Sequence, residues 1–480
     1  MNWQSHLDRL LIDTASKRCQ FGGCVIELPT GKVVYERNST TPLMPASNMK
    51  LVVIAAAIDQ LGKGFQFQTT LALSGKDLVI IGGGDPVLGD DRIAAARTQA
   101  ITAVFHQWVD KLVAAGVKRI PGDIVIDDSL FDQQFVHPNW PADQYETWYE
   151  APVGALSFNS NCVNVEVRRG NGKPEVSMTP ANTAFRIDNK AVMGGKQSVV
   201  VKREAKADVI RLTGEVARGA TMGPISVRDP GLFTGSAFKT VLAARGIPVG
   251  GNVVRRRIRQ ADGRLPSECH VIAIQKTPLA DALARAGKDS LGMVAETLIK
   301  LLGSRGKEPG SWTNGRAAVA AFLKKTGVPA DQFKIDEGSG LSRENRLTPV
   351  GVARVLQYMF TVGNGSFELL KDSLATSGID GTLDKRLRSP DTRGRIFAKT
   401  GYIKGVRTLA GYIQTGKGQW LAFAFFYNQA NTSKMRQAQD AACTALVNYP
   451  DIKPESPAKV AGGAASKKAA KTAAPRKSGK

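Results

Sequence analysis

Ser47 and Lys50 form a Ser-x-x-Lys tetrapeptide within the run PLMPASNMK. A serine hydroxyl becomes a nucleophile when a base takes its proton, and a lysine one helical turn away can do so once burial or nearby cations lower its proton affinity. A helix N-terminus also favours negative charge developing there. The tetrapeptide alone says little, because two fixed residues in four recur by chance, and such a serine can simply cap a helix while the lysine stands in solvent. The second feature, Lys399-Thr400-Gly401, lies near the other end of the chain. At a strand end these three residues suit an extended substrate bound edge-on. The lysine meets a carboxylate, the threonine donates a hydrogen bond, and the glycine admits close backbone approach.

The surrounding segments supply the elements such a site needs. GGCVIELPTGKVVYERN reads as a hairpin with β runs at Cys24 to Leu28 and Lys32 to Tyr35, turning at Pro29, Thr30 and Gly31. NMKLVVIAAAIDQLG is apolar almost all round and ended by Gly62, so it predicts a buried helix with Ser47 at its N-cap or first turn. IFAKTG, TLAGYIQTG and QWLAFAFFYN predict a three-strand meander, followed by a helix over SKMRQAQDAACTALVNYP. Between these ends the chain changes to short β runs. TTLALSGKDLVIIGGGDPVL predicts a hairpin and a glycine-rich loop, 91–115 a helix, and GDIVIDDSLF a strand. CVNVEVRRG, KPEVSMTP, QSVVVKRE and DVIRLTGEV predict four strands of a small all-β unit. From Thr277 onward helical patterns return. The pattern predicts a split catalytic domain (1–65 and 270–450), an inserted domain (66–165 and 224–269), an all-β domain nested within it (166–223) and a basic tail (451–480).

At 480 residues the chain exceeds one ordinary core, and no apolar run approaches the roughly 18 residues a membrane helix needs. Lys and Arg number 65 against 42 Asp and Glu, a formal charge of +23. The stretch 453–480 holds eight of the basic residues, one acidic residue (Glu455) and no aromatic. Such a composition predicts disorder, either as a solvated appendage or as a tether to an anionic polymer. No helix-turn-helix or aromatic-interleaved basic stretch supports specific nucleic-acid binding. The five cysteines (19, 24, 162, 269, 443) and four histidines show no ligand spacing, so neither a disulfide framework, a metal site nor a cofactor is expected. MNWQSHLDRLLIDTASKRC shows no charged region followed by an apolar core, hence no visible secretory signal. Asp85, Asp127 and Asp128 fall at turns and strand ends, where backbone capping is the expected role.

PLMPASNMK together with the distant KTG resembles the serine D-alanyl-D-alanine carboxypeptidases/endopeptidases among the class C low-molecular-mass penicillin-binding proteins. The likeness runs roughly from Leu28 to Tyr449. GGGDPVL, GDIVIDDSLF and YEAPVGALSFNSNCVNVEV look like that family's inserted region, and DPGLFTGSAFKTVLAARGI, GSGLSREN and GIDGTLDKRL like its later parts. The resemblance implies an α/β penicillin-binding-protein/β-lactamase-like transpeptidase fold, an antiparallel sheet with flanking helices, split by a large β-rich insertion. It implies a serine carboxypeptidase, with endopeptidase activity as an addition, acting on peptidoglycan stem peptides in the periplasm or cell envelope and trapped covalently by β-lactams. Ser47 would be the nucleophile and Lys50 its base. Ser290 would relay the proton to the departing D-amino acid, while Lys399, Thr400 and Gly401 hold the terminal carboxylate. The oxyanion would lie between the Ser47 N–H and a donor from the strand after Lys399.

One position departs from the family pattern. The third motif, Ser-x-Asn, falls on GKDSLGMVAETLIK, which puts Ser290 in the serine slot and Gly292 where asparagine is expected. That asparagine would help bind the substrate amide and steady the lysine. Losing one such partner costs about 1–3 kcal/mol, roughly five- to 150-fold in rate. The alternative is therefore a weakened or inactive homologue that binds peptidoglycan or a partner without turnover. GSGLSREN offers Ser342 and Asn345 as a rival pair with one residue too many between them, and reads better as a glycine-bounded loop beside the site.

Overall fold

The computed structural model describes residues 2–12, 18–260 and 262–452. Its largest sheet is antiparallel with six strands, in the order Ala375–Thr376, Ile396–Ile403, Val406–Gln414, Trp420–Asn428, Gln20–Leu28 and Val33–Arg37. The first hairpin of the chain thus closes onto the meander predicted near its end. Strand alternation divides the side chains between two faces. Ile26, Ala422, Ala424 and Phe426 pack into the core that holds the helices, whereas Val25, Leu409, Phe423 and Phe425 pack against Leu7, Leu11, Ala442 and Leu446. The latter come from the helices Trp3–Leu11 and Thr432–Leu446.

The apolar helix predicted after Asn48 spans Met49–Leu61 and is buried continuously from Met49 to Ile58. It is apolar all round because it is surrounded by the helices Leu279–Gly287, Gly292–Gly303, Trp312–Lys325, Pro349–Thr361 and Ser366–Ser373. Ser47 precedes it, in a 3₁₀ turn over Ala46–Asn48. The first-turn reading therefore holds, but Ser47 does not cap the helix. Asn48 is the N-cap, and its side chain donates instead to Thr408 Oγ1 at 2.6 Å. Thr408 in turn donates to the Pro45 carbonyl at 2.7 Å, so the sheet satisfies the turn and leaves the Ser47 hydroxyl available.

The middle of the chain forms a five-stranded mixed sheet, ordered Val253–Arg255, Ile124–Asp127, Asp77–Ile81, Gln66–Ser74 and Cys269–Pro278. Phe105, Trp108, Phe233 and Phe238 from the helices Ala103–Ala114 and Pro230–Ala244 cover one face. The single helix expected over 91–115 is two, Asp91–Ala96 and Ala103–Ala114. Thr98 adopts a left-handed φ of 54° between them, and the break frees the second helix to lay Phe105, Trp108, Val109 and Leu112 on the core. The four strands expected between Cys162 and Val216 are present. They share two three-stranded sheets and a two-stranded one with Arg186–Asn189, Val192–Met193 and Ala220–Ser226, which the sequence pattern did not reveal, while Glu215–Val216 is a separate strand at the end of the last predicted run. Asp85 and Asp127 accept backbone N–H groups, of Val87 and of Ser129, Ile258 and Arg259 respectively. Asp128 departs from the capping expectation and pairs with Arg255 at 2.9 Å. The basic tail falls outside the described residues, apart from Asp451 and Ile452.

Candidate active site

The 3₁₀ turn, the loop between two helices and one strand edge bring the predicted residues together. Lys50 Nζ donates to Ser47 Oγ at 3.1 Å and to the Ser339 carbonyl at 2.5 Å. The lysine is 3% exposed. Burial lowers its pKa to about 8, against the opposing charges of Glu337 and Glu296. At that value a useful share of the amine is neutral near pH 7, as a general base requires.

Lys399 faces this pair across the site. Its ammonium donates to Ser290 Oγ at 2.8 Å and to the Thr400 carbonyl at 2.9 Å. Burial holds it well below the ordinary lysine range, and the Lys50 charge pushes the same way against Asp289. Two facing lysines in a dry site attract an anion strongly. Thr400 Oγ1 donates to Thr382 Oγ1 at 2.9 Å, bringing in a residue of the GIDGTLDKRL segment with no predicted role.

The strand edge is open where the substrate would lie. Ala375–Thr376 pairs with Phe397 and Ala398, and among the described residues no strand pairs with Lys399 onward on that side. The Ile396 carbonyl accepts from Ser377 on this edge, while the Arg395 carbonyl accepts from Gln414 on the other. The register runs unbroken to Ile403, so alternation turns the N–H groups of Thr400 and Tyr402 to the open edge. Gly401 must be glycine here: a Cβ would fall 2.0 Å from Thr408 Oγ1, 3.0 Å from the Pro45 carbonyl and 3.2 Å from the Ser47 N–H nitrogen.

Ser290 sits in the loop between Leu279–Gly287 and Gly292–Gly303 with a left-handed φ of 60°. That conformation costs a serine about 1–3 kcal/mol and persists where surroundings fix it. Here they do. Asp289 is held by Arg285 at 2.5 Å and by Arg92, Lys288 by Asp380 at 2.6 Å, and Arg285 also reaches Asp90 at 2.9 Å.

Gly292 opens the following helix at an ordinary backbone angle. A Cβ there would lie 3.3 Å from the Tyr149 carbonyl and 3.4 Å from Ser339 Cβ, so a side chain enters once these groups give by a few tenths of an ångström. The lysine is nonetheless supported, by the Ser339 carbonyl. Ser339 belongs to GSGLSREN, which does lie beside the site. Its rival pair does not reach Ser47: Ser342 donates to Asp336 at 2.5 Å, and Asn345 bonds Glu337 and the Asp336 N–H. Among the described residues no group of three His, Cys, Asp or Glu could hold a metal, and no helix is long and apolar enough to cross a membrane.

The six-stranded sheet, the helices surrounding the Ser-x-x-Lys helix and the inserted sheets are the fold of a penicillin-binding protein. The structure matches penicillin binding protein 4 (dacB) from Haemophilus influenzae with a TM-score of 0.74 at 23% identity, covering 94% of this chain and 100% of that one. The chain belongs to the D-Ala-D-Ala carboxypeptidase 3 (S13) family, whose model matches residues 3–449. It is 29% identical to a D-alanyl-D-alanine carboxypeptidase of Actinomadura sp. (strain R39), over 92% of this chain and 84% of that protein. It is 27% identical to D-alanyl-D-alanine carboxypeptidase DacB of Haemophilus influenzae, over 84% of each chain.

Proposed function

We propose that this chain removes the terminal D-alanine from peptidoglycan stem peptides through an acyl-enzyme on Ser47, and that β-lactams trap the same serine. The observation that carries this is the buried Lys50 amine, with lowered proton affinity, 3.1 Å from Ser47 Oγ. Lys50 takes the Ser47 proton as Oγ attacks the carbonyl of the penultimate D-alanine. The oxyanion collects between the N–H groups of Ser47 and Tyr402, the latter being the donor that strand parity turns to the open edge. As the C–N bond breaks, the proton passes by way of Ser290 to the leaving amine. Lys399 and Thr400 hold the terminal carboxylate. Water then attacks the ester; its proton passes through Lys50 to Ser47 Oγ as the C–O bond breaks, releasing the shortened peptide and restoring the Ser47 hydroxyl and neutral Lys50. The open strand edge also admits the longer peptide of a cross-link, which is the basis for a secondary endopeptidase activity. Such substrates fit a protein working in the cell envelope, on the periplasmic side, where the basic segment 453–480 would meet anionic wall polymer.

Intact-protein mass spectrometry after incubation with benzylpenicillin tests the proposal. One added penicilloyl mass mapping to Ser47 supports it, and an unmodified serine under conditions that label a control enzyme refutes it. Gly292 favours a second reading, in which the protein binds peptidoglycan with little turnover. That reading gains if D-alanine is released from a pentapeptide only after Gly292→Asn.

A further inference from the structure

Behind Lys50 lie two fully buried carboxyl groups, Glu296 and Glu337, that the catalytic steps do not use. Glu337 Oε1 accepts from the Gly340 N–H at 2.6 Å and from Asn345 Nδ2, and Oε2 accepts from the Ser339 N–H at 3.2 Å, the Ser339 hydroxyl and Trp140 Nε1 at 3.3 Å. Glu296 Oε1 accepts from Ser339 N–H at 2.6 Å and Gly338 N–H at 3.1 Å, and Oε2 from Trp312 Nε1 at 2.7 Å. Both carboxyl groups accept from the one Ser339 N–H, so they lie side by side. Two buried charges so close do not both persist, and the pair shares one proton. Five donors converge on Glu337, so the charge belongs there and the proton on Glu296. Burial and the Glu337 charge push Glu296 well above the carboxylate range, whereas its donors and Lys50 hold Glu337 below it despite burial.

The consequence appears on the other side of the turn. With the N–H groups of Gly338, Ser339 and Gly340 all bound by the two acids, the Ser339 carbonyl is left facing Lys50. Gly340, at φ +81°, comes so close to the nucleophile that a Cβ would lie 1.8 Å from the Ala46 carbonyl and 2.9 Å from the Ser47 nitrogen. We infer that Glu337, ionised against a protonated Glu296, is a positioning residue for Lys50: it locks the Gly338–Gly340 turn so that the Ser339 carbonyl holds the Lys50 amine at Ser47, in place of the support an asparagine at 292 would give. This rests on Lys50 being the base.

Other charges face the pair, and the test must separate them. Lys50 also sees Lys399. Glu296 lies near Lys300, which pairs with Asp132 at 2.7 Å and stacks on Trp312. Glu337 lies near His137, which faces Asp336 and Arg316. None of these changes in the substitutions below.

The experiment measures the second-order rate of Ser47 acylation by a fluorescent penicillin from pH 5.5 to 9.5. Glu337→Gln is expected to move the rising limb to lower pH by roughly one unit or more, because Lys50 loses its nearest opposite charge. Its plateau should also fall as the turn loosens. Glu296→Gln keeps a neutral donor toward Glu337 and should leave the limb within a few tenths of a unit. Glu337→Asp should keep the limb while lowering the plateau. Superposed profiles for Glu337→Gln and wild type, or equal shifts for both Gln variants, overturn the inference. So does a full-unit shift in Glu296→Gln, even if Glu337→Gln fails to fold. An infrared band of a buried protonated carboxylic acid should be lost in Glu296→Gln at pH 7, and its persistence unchanged also overturns the assignment. A wild-type profile with no limb near pH 8 refutes Lys50 as base and is thereby distinguished from failure of the carboxyl pair.

Discussion

The pH dependence of acylation follows directly from the burial of Lys50. With a pKa of about 8, roughly one lysine in ten is neutral at pH 7, whereas at the ordinary value of 10.5 the share is about one in 3,000. Burial thus raises the supply of base about 300-fold at neutral pH. The rate of Ser47 acylation by benzylpenicillin should climb about tenfold per pH unit below 7, reach half its maximum near 8, and flatten by about 9. Stopped-flow measurement under excess antibiotic reads this directly. A flat profile from pH 6 to 9, or a log-linear rise continuing through pH 10, would refute the reasoning. The same shift appears in stability with a fixed sign. Between about pH 8 and 10.5 the unfolded chain holds the Lys50 proton and the folded chain does not, so stability rises with pH across that window. The rise is about 3 kcal/mol. Lys399, shifted the same way, adds its own term. Comparing urea unfolding of wild type with Lys50→Met isolates the Lys50 term, since the wild type should gain about 3 kcal/mol on the variant from pH 7 to above pH 10.

Ser290→Ala should leave penicillin binding measurable but lower kcat for D-alanine release by about 10²-fold or more, because Lys399 loses its 2.8 Å partner and the leaving amine its proton relay. Steady-state release of D-alanine from a pentapeptide checks it. Gly292→Asn, which needs only a few tenths of an ångström from the Tyr149 carbonyl and Ser339, should raise kcat/KM for the same peptide at least about fivefold by restoring an amide contact. Its thermal midpoint should stay close to that of the wild type. Gly340→Ala has no such room. Its Cβ would meet backbone at 1.8 Å in a left-handed conformation, so a loss of about 2–4 kcal/mol in urea unfolding and of Ser47 acylation should occur together.

The elements legible in the sequence are those whose pattern matches their burial. Met49–Leu61 is continuously apolar because helices surround it, and the strands of the meander carry alternating or unbroken apolar runs because both sheet faces are covered. What the pattern missed was decided by contacts between segments far apart. The break after Ala96 answers to the fit of Phe105 and Trp108 on a core built from other strands. The short strands Arg186–Asn189, Val192–Met193 and Glu215–Val216 are too brief to show a period and exist through parallel pairing with distant partners.

At the site, the residues with chemistry of their own were visible, whereas those acting through backbone were not. Ser47, Lys50 and Lys399 stand in short motifs that gain weight together, and Ser290 follows from the family resemblance. Tyr402 enters through its N–H, Ser339 through its carbonyl and Thr382 through a hydroxyl that only the fold brings to Thr400. A signal could have found one member of the carboxyl pair: Glu296 is the lone acid in the otherwise apolar run MVAETLI, and such acids are rarely buried without purpose, whereas Glu337, beside Asp336, does not stand out. This division also changes the weight of Gly292. Read from sequence, glycine in an asparagine slot deprives the base of its support. In the structure that support is the Ser339 backbone carbonyl, which side-chain substitution does not remove and which two buried carboxyl groups aim at Lys50. The loss therefore falls on recognition of the substrate amide and spares the activation of the nucleophile. β-Lactam acylation, which depends mainly on activation, should accordingly be less impaired than turnover of a peptide.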